Sequence, residues 1–123
     1  MMTSVNFSVY KYYVDFHDGS GDKRRPIVII KINDDNFEAT AFGVYSHKAK
    51  FEQKKDFYSN FLYEIQNPEL AGLDKKSYVD VSVLEKYSFL ELLTGAEYIG
   101  QLSKEDVKGL KIKVKSFHNV SGE

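Results

Sequence analysis

The chain has 123 residues, 42% of them hydrophobic and 28% charged, with a formal net charge of −1. That size fits one domain with a real core, and the balance excludes bulk disorder and the strongly basic character of a general nucleic-acid binder. No cysteine is present, which excludes disulfides, thiolate zinc sites and cysteine nucleophiles and fits a cytoplasmic protein.

No run of about 18 apolar residues occurs, so no membrane span is expected. The start, Met-Met-Thr-Ser-Val-Asn-Phe, lacks the positive flank and apolar core of a secretory signal. Aromatic residues make up 15% and proline occurs twice, a composition that leans toward sheet.

In chain order, Val5 to Phe16 reads as a strand whose alternation changes phase. Val5, Phe7 and Val9 share one side, whereas Tyr10, Tyr12, Val14 and Phe16 share the other. Such a slip moves the apolar face across the sheet, so a bulge or break is expected near Val9. Gly19, Ser20 and Gly21 then mark a tight, mobile turn over Asp18 to Asp22. Lys23, Arg24 and Arg25 place positive charges together, and Pro26 pushes Arg25 toward an extended conformation. Ile27 to Ile30 is the short β-branched run of a strand buried on both faces. A charged arginine is thus pinned where a loop becomes a rigid strand, a sound place to hold a catalytic or phosphate-binding group.

Asn33 to Asn36 are turn formers leading into a strand from Phe37 to Ser46, where Gly43 suggests a bulge or a close backbone approach. From His47 to Tyr58 the periodicity fails, and the stretch reads as a long exposed loop. Phe61, Tyr63 and Ile65 alternate as in a strand, the preferred reading, although Phe57, Phe61, Leu62 and Ile65 also fit a helical face. Tyr78-Val79-Asp80-Val81 reads as a strand, and Leu84 to Leu93 fits either a short strand or a helical turn. Ser103 and Asp106 resemble a capping box, with Leu102 and Val107 at the staple positions. Val107, Leu110, Val114 and Phe117 keep helical spacing, with Lys104, Lys108, Lys111 and Lys115 outward. Gly109 costs that helix about 1 kcal/mol relative to alanine. The expected architecture is mainly β, about five to seven short strands and a C-terminal helix, forming a small curved sheet or barrel.

The order of these parts resembles the PemK/MazF-type toxins of bacterial toxin–antitoxin pairs. The likeness lies in Val14-Asp15-Phe16, Asp18-Gly19-Ser20-Gly21 and Lys23-Arg24-Arg25-Pro26 before Ile-Val-Ile-Ile. It continues in Ser46 at a strand end, Ala71-Gly72-Leu73 before Ser77-Tyr78-Val79, and Ile99 to Asp106, so it spans about residues 9 to 117. The resemblance implies one SH3-like barrel with a C-terminal helix. It also implies a metal- and cofactor-independent endoribonuclease of single-stranded RNA, a homodimer and an antitoxin that inhibits it. In that family the RNA's own 2′-hydroxyl attacks the adjacent phosphate, leaving a cyclic phosphate and a 5′-hydroxyl. Arg25 matches the arginine of the family's Arg-Pro pair. Ser46 stands where the family usually has threonine, and without threonine's methyl it rotates more freely.

The chemistry of other residues adds candidates. His17 and His47 are able to move protons near neutral pH, beside the plainer reading of polar residues flanking turns. Ser20, Lys23, Arg24, Lys48, Lys50, Phe51, Lys54 and Lys55 are candidates for RNA binding, since lysines interleaved with aromatics hold phosphates and stack bases in single-strand binders. Their plainer reading is a solvated loop. No His-Glu-His spacing suggests a metal, and the Gly-Ser-Gly loop matches neither phosphate-loop fingerprint. A second functional reading is the same barrel kept as an RNA- or protein-binding module without cleavage, as in a phage or mobile element.

Overall fold

The computed structural model describes residues 6–16 and 21–120, with side chains described for 6–12 and 25–118. The strands are β1 (Ser8–Phe16), β2 (Gly21–Asn33), β3 (Glu38–Ser46), β4 (Leu62–Glu64), β5 (Ser77–Asp80), β6 (Glu85–Ser88) and β7 (Glu97–Gln101). Two short helices, α1 (Ala49–Gln53) and α2 (Lys55–Tyr58), follow β3; α3 (Phe89–Gly95) follows β6, and α4 (Lys104–Val120) ends the chain. All strand pairings are antiparallel, in the order β4-β5-β3-β2-β1-β7, with β6 also on β3. The first half of β3 therefore pairs with β6 and its second half with β5.

Strand β2 shows why its Ile-Val-Ile run is continuous. Val28 joins a core with Val9, Phe42, Val44, Val79 and Leu110. Ile27 and Ile29 point the other way, into a second core with Ala39, Ala41 and Leu92 of α3. A strand covered on both faces has no polar side to show, which is what the β-branched run predicts. The α4 side chains Val107, Leu110, Val114 and Phe117 pack on the first core, as their spacing requires.

The expected bulge in β1 is present, as a shift of its pairing with β7 between Val9 and Tyr10. The irregularity between β2 and β3 falls between Ile29 and Lys31, not at Gly43. A Cβ at Gly43 would make only ordinary contact with the Tyr45 ring, 3.4 Å away. The turn of Asn33 to Asn36 is held by side-chain oxygens. The Asp35 N–H donates to Asn33 at 2.9 Å and the Glu38 N–H to Asn36 at 3.1 Å, which lets Phe37 sit at a φ of 52°.

Among the described residues hydrogen bonding does not run round a complete ring, yet the ends of the sheet are brought close. The Gln101 N–H donates to the Leu70 carbonyl at 2.9 Å, so the turn between β4 and β5 lies against β7. Gly72, at a φ of 76°, and Gly100 allow this approach, because a Cβ at either would run into the other segment's backbone. Two stretches that carry the family resemblance thus meet in space.

The stretch from His47 to Tyr58 is largely exposed, as its composition suggests, but it is helical and not a loop. Residues 49–58 form α1 and α2, and Phe51 is buried. Both open readings of Leu84 to Leu93 are realised in succession, as strand β6 and then helix α3, while Leu62–Glu64 is a strand. No described helix is long and apolar enough to cross a membrane.

Candidate functional site

The Arg25 side chain leaves β2 two residues before Ile27, which pairs with Gly43 of β3. Counting on by the same register brings Arg25 beside Tyr45, and the guanidinium lies over that ring, 4.7 Å from its centroid. A guanidinium stacked on an aromatic face has its plane fixed by that ring. Burial pushes the Tyr45 hydroxyl pKa up, Arg25 pulls it down, and Asp80 and Glu85 add to the rise. The hydroxyl stays protonated at neutral pH.

Ser46 ends β3 and pairs with Ser77 of β5. Ser46 is exposed, whereas Ser77 is buried and donates its hydroxyl to the Lys75 carbonyl at 2.9 Å. Arg25 and Ser46 line one cleft of about 570 Å³, together with Lys11, Lys48, Lys75 and the turn Gly72–Asp74. Four cations against the single carboxylate of Asp74 give this cleft a positive field although the chain as a whole is slightly negative. It can hold an anion with two negative oxygens facing a fixed guanidinium, and a hydroxyl from Ser46 at its wall.

Tyr45 and Lys48 also border a smaller hollow of about 160 Å³, with Lys50, Phe51, Tyr58 and Asp80 around it. The Lys50 ammonium sits 5.9 Å over the Tyr58 ring. Phe51, Tyr58 and Leu62 in turn border a third hollow of about 310 Å³ that Lys55, Lys76 and Tyr78 help to line. The three spaces share walls and follow one another from β2 to β4.

Most of the sequence candidates with described side chains gather along this line: Arg25, Ser46 and Lys48 in the cleft, Lys50 and Phe51 beside the small hollow, Lys55 at the third. Lys54 lines none of these spaces. His47 follows Ser46 but is not among the residues lining the Arg25 cleft. Its Nδ1 lies 3.2 Å from the Tyr78 hydroxyl and its Nε2 3.0 Å from Glu52. His17 and Ser20 lie outside the described residues, as do the side chains of Lys23 and Arg24.

Lys11, Tyr45, Lys75 and Ser77 were not legible as site residues. Lys11, Tyr45 and Ser77 reach the cleft through strand pairing with a distant segment, and Lys75 from the connection just before β5. The one signal available was Tyr45's place before Ser46 on the same strand.

No family model and no curated protein matches the sequence. Solved structures do match in shape. A chain in the form III crystal of the MazE-MazF complex from Deinococcus radiodurans is similar at 14% identity and a TM-score of 0.62, over 97% of this chain and 98% of that one. A form II crystal of the same complex gives 13% identity and a TM-score of 0.64, with 97% of each chain covered. The shared geometry extends over nearly every element described above, so the chain has a PemK/MazF-like fold.

Proposed function

We propose that this protein is an endoribonuclease of single-stranded RNA that acts without a metal ion, and that Arg25 is its principal catalytic residue. The observation that carries the reading is the placement of the Arg25 guanidinium, fixed over Tyr45, in the same cationic cleft as the exposed Ser46 hydroxyl. The likeness in fold to a chain of the MazE-MazF complexes supports the class of activity.

In this reading a backbone phosphate sits in the cleft. A general base takes the proton from the neighbouring 2′-hydroxyl, and that oxygen attacks phosphorus in line. The bond from phosphorus to the 5′-oxygen breaks, and the departing oxygen takes up a proton. The products are a cyclic phosphate and a 5′-hydroxyl. Charge grows on the non-bridging oxygens as the phosphorane forms, and two guanidinium donors fit two such oxygens at once. Ser46 donates to the same phosphate, and Lys11, Lys48 and Lys75 hold its neighbours. The reading includes a homodimer and a partner antitoxin whose acidic segment competes for the cleft.

The test is cleavage of a long unstructured RNA, with both new ends identified. The wild type is expected to give 2′,3′-cyclic phosphate and 5′-hydroxyl ends in the presence of a chelator. Arg25→Ala should cut about 10²–10³ more slowly, the usual loss for one preorganised transition-state donor. A folded wild type that cuts no RNA would favour the non-cleaving binding module instead.

A further inference from the structure

We propose that the third hollow, between α1–α2 and strands β4–β5, is a nucleobase pocket that selects guanine close to the phosphate held by Arg25. The proposal rests on the RNA reading given above and adds what the enzyme reads.

Charge divides the groove into two kinds of space. The Arg25 cleft is strongly cationic and suits a phosphate. The third hollow balances its charges, with Glu52 and Glu64 set against Lys55 and Lys76. A space without net positive charge gains little from a phosphate but suits a neutral base. Its walls are aromatic. Phe51 meets Tyr78 edge to face at 5.3 Å and Tyr58 at a tilt at 4.9 Å, and the volume of about 310 Å³ has room for a bicyclic base. Unstacked bases of single-stranded RNA are bound in this way, on aromatic side chains with polar groups at their edges.

The polar groups favour one base. Two carboxylates at one hollow call for a ligand rich in donors. Guanine alone among the four bases offers both a ring N–H and an amino group side by side, a match for the two oxygens of a carboxylate. Its O6 and N7 are acceptors for a lysine. The Glu64 carboxylate and the Lys76 ammonium stand 3.8 Å apart, so a donor and an acceptor are already adjacent. Both keep about half their side-chain surface exposed, at 46% and 49%, and so are available to a ligand. Glu52 is held on the other side by His47 at 3.0 Å, and His47 by Tyr78 at 3.2 Å. That chain links the pocket's acidic wall to the residue beside Ser46.

The smaller hollow lies between the two spaces and shares Tyr45 and Lys48 with the first, Phe51 and Tyr58 with the second. A strand of RNA with its phosphate at Arg25 is therefore able to continue into the pocket without leaving the surface.

The experiment measures binding rather than cleavage, so that its result stands apart from the ribonuclease reading. Fluorescent 2′-O-methyl hexanucleotides lack the attacking hydroxyl and stay intact. One carries a single guanine among uracils, a second has inosine in its place, and a third is all uracil. The guanine strand is expected to bind about tenfold more tightly than either of the others, because inosine lacks the amino group. Glu52→Gln and Glu64→Gln together should abolish that preference, so that the guanine, inosine and uracil strands bind alike. Equal binding of the three strands by wild type, binding of none of them, or a guanine preference that survives both substitutions would overturn the proposal. A guanine preference in a protein that cuts no RNA would uphold the pocket and refute the nuclease.

Discussion

A carboxylate taken out of water costs several kcal/mol unless hydrogen bonds replace its solvent. Asp106 has no exposed surface, and four donors surround it. The Tyr63 hydroxyl donates at 2.6 Å, the Gln66 N–H at 2.7 Å, the Asn67 N–H at 2.9 Å and the Ser103 hydroxyl at 3.1 Å. Its own N–H donates back to Ser103 at 3.1 Å, closing the helix cap. Burial is the largest single influence and acts to raise the Asp106 pKa, but these bonds together hold it below the ordinary 3.8. Asp106→Asn is expected to lose about 2–4 kcal/mol at neutral pH, since it leaves buried donors without a charged acceptor. A carboxyl with a lowered folded pKa stabilises the protein above its unfolded value, and that contribution fades as pH drops below 3.8 toward the folded value. Urea denaturation of both proteins should therefore show the gap closing as the solution is acidified through that range. A constant gap from pH 7 to pH 2 would refute the assignment. From sequence Asp106 is a second-best capping residue, glutamate or glutamine being the usual partner. Its short side chain makes sense only once β4 and the turn after it are seen to cross the helix start.

Helix α4 shows how far periodicity carries at the scale of an element. Val107, Leu110, Val114 and Phe117 specify which side is buried, and the fold packs that side on the core. The same spacing leaves Gly109 unexplained, as a residue that weakens the helix. Crossing geometry supplies the reason, because a Cβ there would lie 2.5 Å from the Tyr63 hydroxyl oxygen. That tyrosine is held in place by its 2.6 Å hydrogen bond to Asp106. Gly109→Ala is therefore expected to destabilise the protein by about 1–3 kcal/mol, because overpacking outweighs the propensity gain of about 1 kcal/mol. Thermal denaturation with calorimetry checks the sign, and a rise in Tm would show that Tyr63 moves aside easily. The helices between His47 and Tyr58 are hidden from the sequence for a related reason. Helices α1 and α2 span five and four residues, too short for a repeat of their own. Neither has a side-chain cap, and Phe51 is their one buried residue. They are held by contacts between rings, Phe51 with Tyr58 and Tyr78, which are not visible in local order. Arg25 stands out in the sequence by the proline after it, whereas Ser46 stands out only through the family resemblance. Tyr45 and Ser77 depend on register between strands, which one sequence does not display.

Taken whole, the molecule is nearly neutral, at −1, yet it concentrates cations where β2, β3 and β5 meet. Lys11 comes from β1, Arg25 from β2, and Lys48 and Lys75 from the connections beside β3 and β5. The sheet order places these segments side by side although they are far apart in the chain. With a total charge this close to zero, the local concentration of cations in the cleft is what draws a phosphate to Arg25. Salt then becomes a measure of how many phosphates are engaged. For single strands the logarithm of the binding constant falls with the logarithm of salt concentration by about 0.7 for each phosphate neutralised. Four cleft cations set a slope of about −3 for an uncleavable RNA, and Lys75→Gln should reduce it by about 0.7. Titrations between about 50 and 400 mM salt are enough to measure both. A slope steeper than about −5 would mean that RNA spreads over the surface beyond the cleft. A slope near zero would mean that stacking alone holds the strand, leaving Arg25 without a phosphate to act on.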